Sequence, residues 1–142
     1  MSFIQVVYQS QASQPLAEEE ILDILRKSQS QNQRRRISGM LFYWDGCFLQ
    51  LIEGPEAAVE NLLTTISQDT RHHDIRVVER STAGSLSMPT WAMGFFAPGL
   101  EPRLLKDEFI LDAAETRAIS ELLPEHIGRH FIALLDHGST QP

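Results

Sequence analysis

The sequence is poor in the features that announce most chemistries. Among its 142 residues there is one cysteine, Cys47, which excludes an internal disulfide and any cysteine-built metal site. Cys47 falls within an apolar run and is expected to be a small buried hydrophobe. No apolar run approaches the roughly 18 residues of a membrane span, and the N-terminus has neither the charged nor the apolar region of a signal peptide. The expectation is a cytoplasmic protein with no membrane partner. Positive charge is in the minority: 12 Lys and Arg against 19 Asp and Glu give a net charge of -7, which argues against nucleic acid as a partner. There is no glycine-rich phosphate loop and no strained nucleophile turn ahead of a helix. His72-His73, flanked by Asp69 and Asp74, lie on a helix–strand connection where adjacent histidines diverge, so no metal site is expected. No enzyme signature emerges.

What is present is a core and a hairpin. At 42% hydrophobic the chain suits one globular domain. Two runs rich in aromatic and branched residues, Ile37–Trp44 and Cys47–Gly54, flank Asp45-Gly46, a strong hairpin signal. On the second run Phe48, Gln50 and Ile52 share one face and Cys47, Leu49 and Leu51 the other. Both faces are apolar enough for a central strand, and Gln50 interrupts one of them with an amide. Left bare, a buried amide costs about 1–3 kcal/mol.

In chain order, Phe3 to Ser10 alternates as a strand with Ile4, Val6, Tyr8 and Ser10 on one face. Leu16 to about Gln31 reads as a helix, with Glu18–Glu20 favouring its N-terminal dipole. Its apolar stripe runs Ile21, Ile24, Leu25 and then continues through two small polar groups, Ser28 and Asn32. Arg34–Arg36 reads as a solvated turn. Pro55 opens a second helix to about Gln68, its stripe Val59, Leu62, Leu63 and Ile66. Ile75–Ser81 reads as a fourth strand, Thr82–Pro89 as a polar connection, and Trp91–Ala97 as a fifth strand with Trp91, Met93 and Phe95 on one face. This order predicts an α+β fold: a ferredoxin-like βαββαββ mixed five-stranded sheet with two helices on one face. Beyond it, Asp112–Leu123 and Pro124–His137 read as two amphipathic helices, with Leu111, Ala114, Ala118 and Leu122 marking the first stripe and Ile127, Phe131, Leu134 and Leu135 the second. Residues 1–97 form the expected domain, and 98–142 a helical extension too small to be a domain of its own.

The polar intruders converge if the sheet is wound in this way. Tyr8 and Gln50 point to one face, Ser28 and Asn32 come off the first helix toward it, and Asp69, Arg71 and His72 follow the second. Ile24 and Ile66 would supply two aliphatic walls, one from each helix. Such a slot suits a flat heteroaromatic ring with carbonyl and N–H edges. The competing reading is that Tyr8–Gln50 is only a satisfied core hydrogen bond in a ferredoxin-like binding or assembly module.

Several short pieces together resemble one family. Tyr8-Gln9-Ser10, Asn32 ahead of Ile37-Ser38-Gly39-Met40-Leu41, Phe48-Leu49-Gln50-Leu51-Ile52-Glu53-Gly54, Asp69-Thr70-Arg71-His72 and Trp91-Ala92-Met93 stand in the order and spacing of a BLUF domain, the blue-light sensor that uses FAD. The resemblance covers Phe3 to Phe96. It implies FAD held without a covalent bond between the two helices, with Ile24 and Ile66 at the ring faces. It implies Tyr8 as electron and proton donor, Gln50 as the switch amide, and Asn32 and Arg71 at the ring's carbonyl edges. Ser28, Asp69 and His72 take positions around the pocket, and Trp91 and Met93 act as the relay outward. Two residues depart from the pattern: Gln31 where relatives carry Asn or His, and Thr70 where a proline is expected, which loosens that loop. With no attached output domain the chain would act on a separate signalling protein, response-regulator-like or a cyclic-di-GMP phosphodiesterase, and self-associate as a homo-oligomer.

Overall fold

The computed structural model describes residues 3–14, 16–44, 46–83, 94–96 and 113–140. Five strands and four helices follow in the order β1 (Phe3–Ala12), α1 (Glu18–Arg35), β2 (Ser38–Trp44), β3 (Cys47–Pro55), α2 (Glu56–Ser67), β4 (His72–Ala83), β5 (Gly94–Phe96), α3 (Ala113–Leu122) and α4 (Glu125–Thr140). The strands form one sheet ordered β4-β1-β3-β2-β5. β1 runs antiparallel to both β3 and β4, β2 and β3 make the hairpin, and β5 joins β2 in parallel. This is the ferredoxin-like arrangement, in which β3 inserts between β1 and β2 after their helical crossover. Trp91 and Met93 lie outside the described residues, as do the side chains of Leu25, Ser28, Gln31 and Asn32.

Local chemistry explains the element ends. The Glu20 carboxylate accepts the Ala17 N–H at 3.2 Å, one half of a capping box at the start of α1. That helix runs to Arg35, four residues past the expected end, because no breaker intervenes until Arg36 turns left-handed at φ 58°. Arg34 and Arg36 are exposed, as a solvated turn requires. At the hairpin, Gly46 adopts φ 79°, the conformation the tight turn demands. β4 begins at His72 rather than Ile75, which moves His72 from a connection onto a strand.

The sheet has two different faces. On one, Ile4, Val6, Tyr8 and Ile52 pack with Val59 and Leu62 of α2, while Leu41 and Phe48 pack with Ile21 of α1. On the other, Val7, Met40, Phe42, Leu49, Leu51 and Phe96 pack against Leu123, Ile127, Phe131 and Leu135, so α4 caps the sheet's second face. Beneath that cap a polar row crosses the sheet in register: Ser38, Glu53, Gln5 and Ser81 are successive cross-strand partners on β2, β3, β1 and β4. Ser38 and Gln5 donate to the fully buried Glu53 carboxylate at 3.2 and 3.0 Å. Ser81 donates to Gln5 Oε1 at 3.5 Å and meets His126 Nε2 of α4 at 3.2 Å. A satisfied polar row under an otherwise apolar cap gives α4 one register on the sheet. No described helix is long and apolar enough to cross a membrane.

Two expectations fail here. Cys47 is exposed, because it begins β3 at the hairpin end of the strand. In α3 the stripe is on another face: Ala114, Ala118 and Leu122 are exposed, and Thr116, Ser120 and Leu123 are buried. The reason is close helix contact. A β-carbon on Gly128 of α4 would collide with the Ser120 carbonyl, so only small residues fit at the crossing. Ser120 meets its own bonding need by donating to the Thr116 carbonyl at 2.7 Å. Buried and exposed positions of the α3–α4 pair make different demands on stability. Phe131→Ala, which empties a fully buried site, should cost about 3–5 kcal/mol of unfolding free energy, and Leu122→Ala, at an 86% exposed residue, should stay within about 0.5 kcal/mol. Denaturant unfolding of the two variants checks this, and a large loss for Leu122→Ala would return that residue to the core.

Candidate functional site

The cleft lies on the first face of the sheet, between α1 and α2. Its floor is a cross-strand row: Tyr8 of β1 stands opposite Gln50 of β3, which stands opposite Leu41 of β2. Tyr8 and Gln50 are 4% and 5% exposed. The Tyr8 phenol donates a hydrogen bond to Gln50 Oε1, so the amide's carbonyl is turned to the phenol and its N–H2 group away. Burial pushes the phenol's pKa far above the usual tyrosine range, and the nearby Asp69 carboxylate adds to the shift. Tyr8 therefore keeps its proton and remains the donor.

The walls are aliphatic. Ile24 of α1 and Ile66 of α2 both line the cleft, with Leu41 and Phe48 at its base. It holds about 880 Å³ of empty space, counted out to its open mouth. Charge gathers at the rim. Arg71 forks onto Asp69, Nε to Oδ1 at 3.0 Å and Nη2 to Oδ2 at 2.7 Å, and its backbone N–H reaches the same carboxylate at 2.9 Å. Asp23 of α1 lies between Arg71 at 3.5 Å and Lys27 at 3.1 Å. Arg71's hydrogen bonds hold the Asp69 carboxyl below the usual carboxylate range, outweighing the desolvation that opposes them. In return, the Asp69 hydrogen bond holds the guanidinium's pKa above its usual value. The freedom expected from Thr70 is taken up by anchors to the residue that follows β1: Ser13 Oγ donates to the Thr70 carbonyl at 2.9 Å, and Ser13 N–H to the Arg71 carbonyl at 2.9 Å.

Seven of the residues singled out from sequence, Tyr8, Ile24, Gln50, Ile66, Asp69, Arg71 and His72, line this one cleft. Lys27, Leu41, Phe48, Leu62 and Thr65 line it too and are not among the residues singled out for the site from sequence. Helical spacing places Lys27 three residues after Ile24, and strand alternation places Phe48 beside Gln50, so the signal for both was present. Among the described residues no group of three or more His, Cys, Asp or Glu side chains is placed to hold a metal ion.

Two aliphatic walls for the faces of a ring, and a phenol, an amide and a guanidinium for its polar edge, fit a flat heteroaromatic cofactor. The fold and cleft thus define an α+β binding domain for such a group. Residues 3–94 match the family model described as BLUF, sensors of blue-light using FAD, and the chain belongs to that family. Over 73 residues it is 38% identical to photoactivated adenylate cyclase subunit beta of Euglena gracilis, an alignment covering 51% of this chain and 8% of the cyclase subunit. The chain therefore matches less than a tenth of that curated relative's length. The dark-state structure of BlrB, a BLUF protein, superposes with a TM-score of 0.66 at 30% identity, over 74% of this chain and 79% of BlrB. The Klebsiella pneumoniae BlrP1 manganese and cyclic-diGMP complex superposes with a TM-score of 0.70 over 96% of this chain and 33% of BlrP1, and at 24% identity it speaks for the fold alone.

The rim ion pair carries a pH dependence. With the native pKa of Asp69 depressed, its stabilising contribution is whole above about pH 4 and is lost as pH falls through the depressed value. Asp69→Asn should therefore flatten the loss of stability below about pH 4. Denaturant titrations across that window test this. An acid profile identical to that of the unsubstituted protein would remove this carboxylate as a source.

Proposed function

We propose that this chain is a blue-light photoreceptor that holds FAD non-covalently in the cleft between α1 and α2 and signals by rearranging the bonds of Gln50. The observation that carries the reading is the buried phenol–amide contact, Tyr8 donating to Gln50 Oε1 on the cleft floor. Ile24 and Ile66 would hold the ring faces, and Asn32 and Arg71 its carbonyl edges. Ser28, Asp69 and His72 would complete the pocket. When bound, the flavin supplies a blue-absorbing ring that becomes a strong electron acceptor on excitation.

The chain's own residues supply the switch. Tyr8 is a neutral phenol, its proton held by burial, and can give up an electron and that proton and regain both. Gln50 has one carbonyl oxygen and one N–H2 group on a single carboxamide, so it cannot present both to the same neighbour. While Tyr8 is changed, its preference for the Gln50 oxygen is withdrawn, and the amide can settle the other way round. Two arrangements of one amide make a bistable element whose populations light can bias. Nothing in the cycle is consumed, so the outcome is a signal rather than a product.

The output surface is the second face of the sheet. Trp91 and Met93 are the proposed relay, moving β5 and the two C-terminal helices of the 98–142 extension relative to the 1–97 domain. The recipient would be a separate protein, response-regulator-like or a cyclic-di-GMP phosphodiesterase, with the chain itself a homo-oligomer in the cytoplasm. The named relative, a photoactivated adenylate cyclase subunit, supports light-driven signalling of this kind.

The test is an absorption spectrum of the purified, FAD-loaded chain before and after blue light. A yellow protein with a small, reversible red shift is expected. Gln50→Leu and Tyr8→Phe should still bind flavin and lose the shift. A normal shift in Gln50→Leu would remove the amide from the switch.

A further inference from the structure

His72, the first residue of β4, sits between the floor of the cleft and one of its walls. Its Nε2 lies 2.8 Å from the Ile66 carbonyl oxygen and its Nδ1 lies 2.8 Å from Ser10 Oγ. A carbonyl can only accept, so Nε2 carries a hydrogen and donates it to Ile66, while Nδ1 pairs with the Ser10 hydroxyl. The Ile66 carbonyl belongs to the last turn of α2, where acceptors have no partner within the helix. It takes the Asp69 N–H at 3.1 Å as well, filling its second lone pair. The imidazole also packs edge-on to Phe48, with ring centroids 6.0 Å apart, and to Tyr8 at 6.5 Å.

Both ends of this bridge matter. Ser10 is 3% exposed and stands two residues after Tyr8 on the same face of β1, so it moves with the phenol. Ile66 lines the cleft from α2, together with Leu62 and Thr65. Among the described residues, His72 thus hydrogen-bonds both α2's last turn and the strand that carries the phenol.

We propose that Ser10 and His72 act together as positioning residues: they set the separation between the Tyr8–Gln50 floor and the Ile66 wall, and so the placement of the phenol against a ring held in the cleft. The proposal rests on the photoreceptor reading. Ser10 touches no part of the ring in this scheme and works only through His72. Proton-coupled electron transfer and a two-state amide both depend steeply on placement, and a misplacement of about 1 Å can cost on the order of a hundredfold in a positioned reaction.

The experiment uses the full chain loaded with FAD and measures three quantities: retained flavin, thermal unfolding, and photoconversion yield per absorbed photon. Ser10→Ala removes only the hydroxyl, and His72→Phe keeps a flat ring of similar size while losing both nitrogens. Each should retain a folded, yellow protein whose yield falls by about tenfold. The double variant should be no worse than either single one, since both break the same bridge. Ser10→Thr, which keeps the hydroxyl, should restore the yield. A wild-type shift whose yield Ser10→Ala leaves unchanged overturns this inference alone, as does a double variant whose losses multiply. A wild-type chain that takes up FAD and shows no shift overturns the photoreceptor reading and this inference with it.

Discussion

The hydrogen bond from Tyr8 to Gln50 is the constraint around which the cleft is arranged. It joins two buried polar groups across neighbouring strands, and each needs the other: an orphaned amide or phenol at that depth would cost about 1–3 kcal/mol. The bond exists because β3 inserts between β1 and β2, placing Tyr8 opposite Gln50 in register. A slip of one residue would turn every side chain of β3 to the other face and bury the amide under α4. The ordinary core packing of Ile4, Val6, Ile52 and Val59 thus acts as the device that aims the switch.

β3 connects the two faces. Gln50 points to the cleft, and three residues on, Glu53 points beneath the helical cap and anchors the row that ends at His126. The cleft and the cap thus share a strand buried along nearly its whole length. Packed interiors of this kind shift between discrete arrangements more readily than they deform, which makes β3 a natural place for a change on one face to be felt on the other. The exposed ion pairs that also tie α4 and α2 to β4, Arg129–Glu79 and Arg80–Glu60, contribute little by comparison.

The parts of the molecule that were legible beforehand are those governed by short-range periodicity. Strand alternation placed Tyr8 and Gln50 on one face, helical spacing placed Ile24 and Ile66 on facing stripes, and Asp45-Gly46 marked the hairpin. The family pattern then gathered Asp69, Arg71 and His72 around the same cleft. The misreadings have a common cause. Leu122 is apolar and would be expected inside, but α3 crosses α4 where Gly128 demands small neighbours, and the buried Ser120 hydroxyl is satisfied by donating to the Thr116 carbonyl within the helix. Cys47 was assigned inward because its run is apolar, although its place at the hairpin end exposes it. In both cases a long-range contact, or the lack of one, overruled hydrophobicity.

The order of elements, the class of fold, the placing of a phenol and an amide on one face, and the family can all be read from the residues alone. These follow from periodicity and residue type, which act over a few positions. The folded chain adds that the Tyr8 hydroxyl meets the Gln50 oxygen, that one imidazole ties Ser10 to the end of α2, that a polar row registers α4 on the sheet, and that Leu122 faces out. Those depend on which surfaces meet after the chain has folded, and residues 48 or 62 positions apart carry no local sign that they will touch.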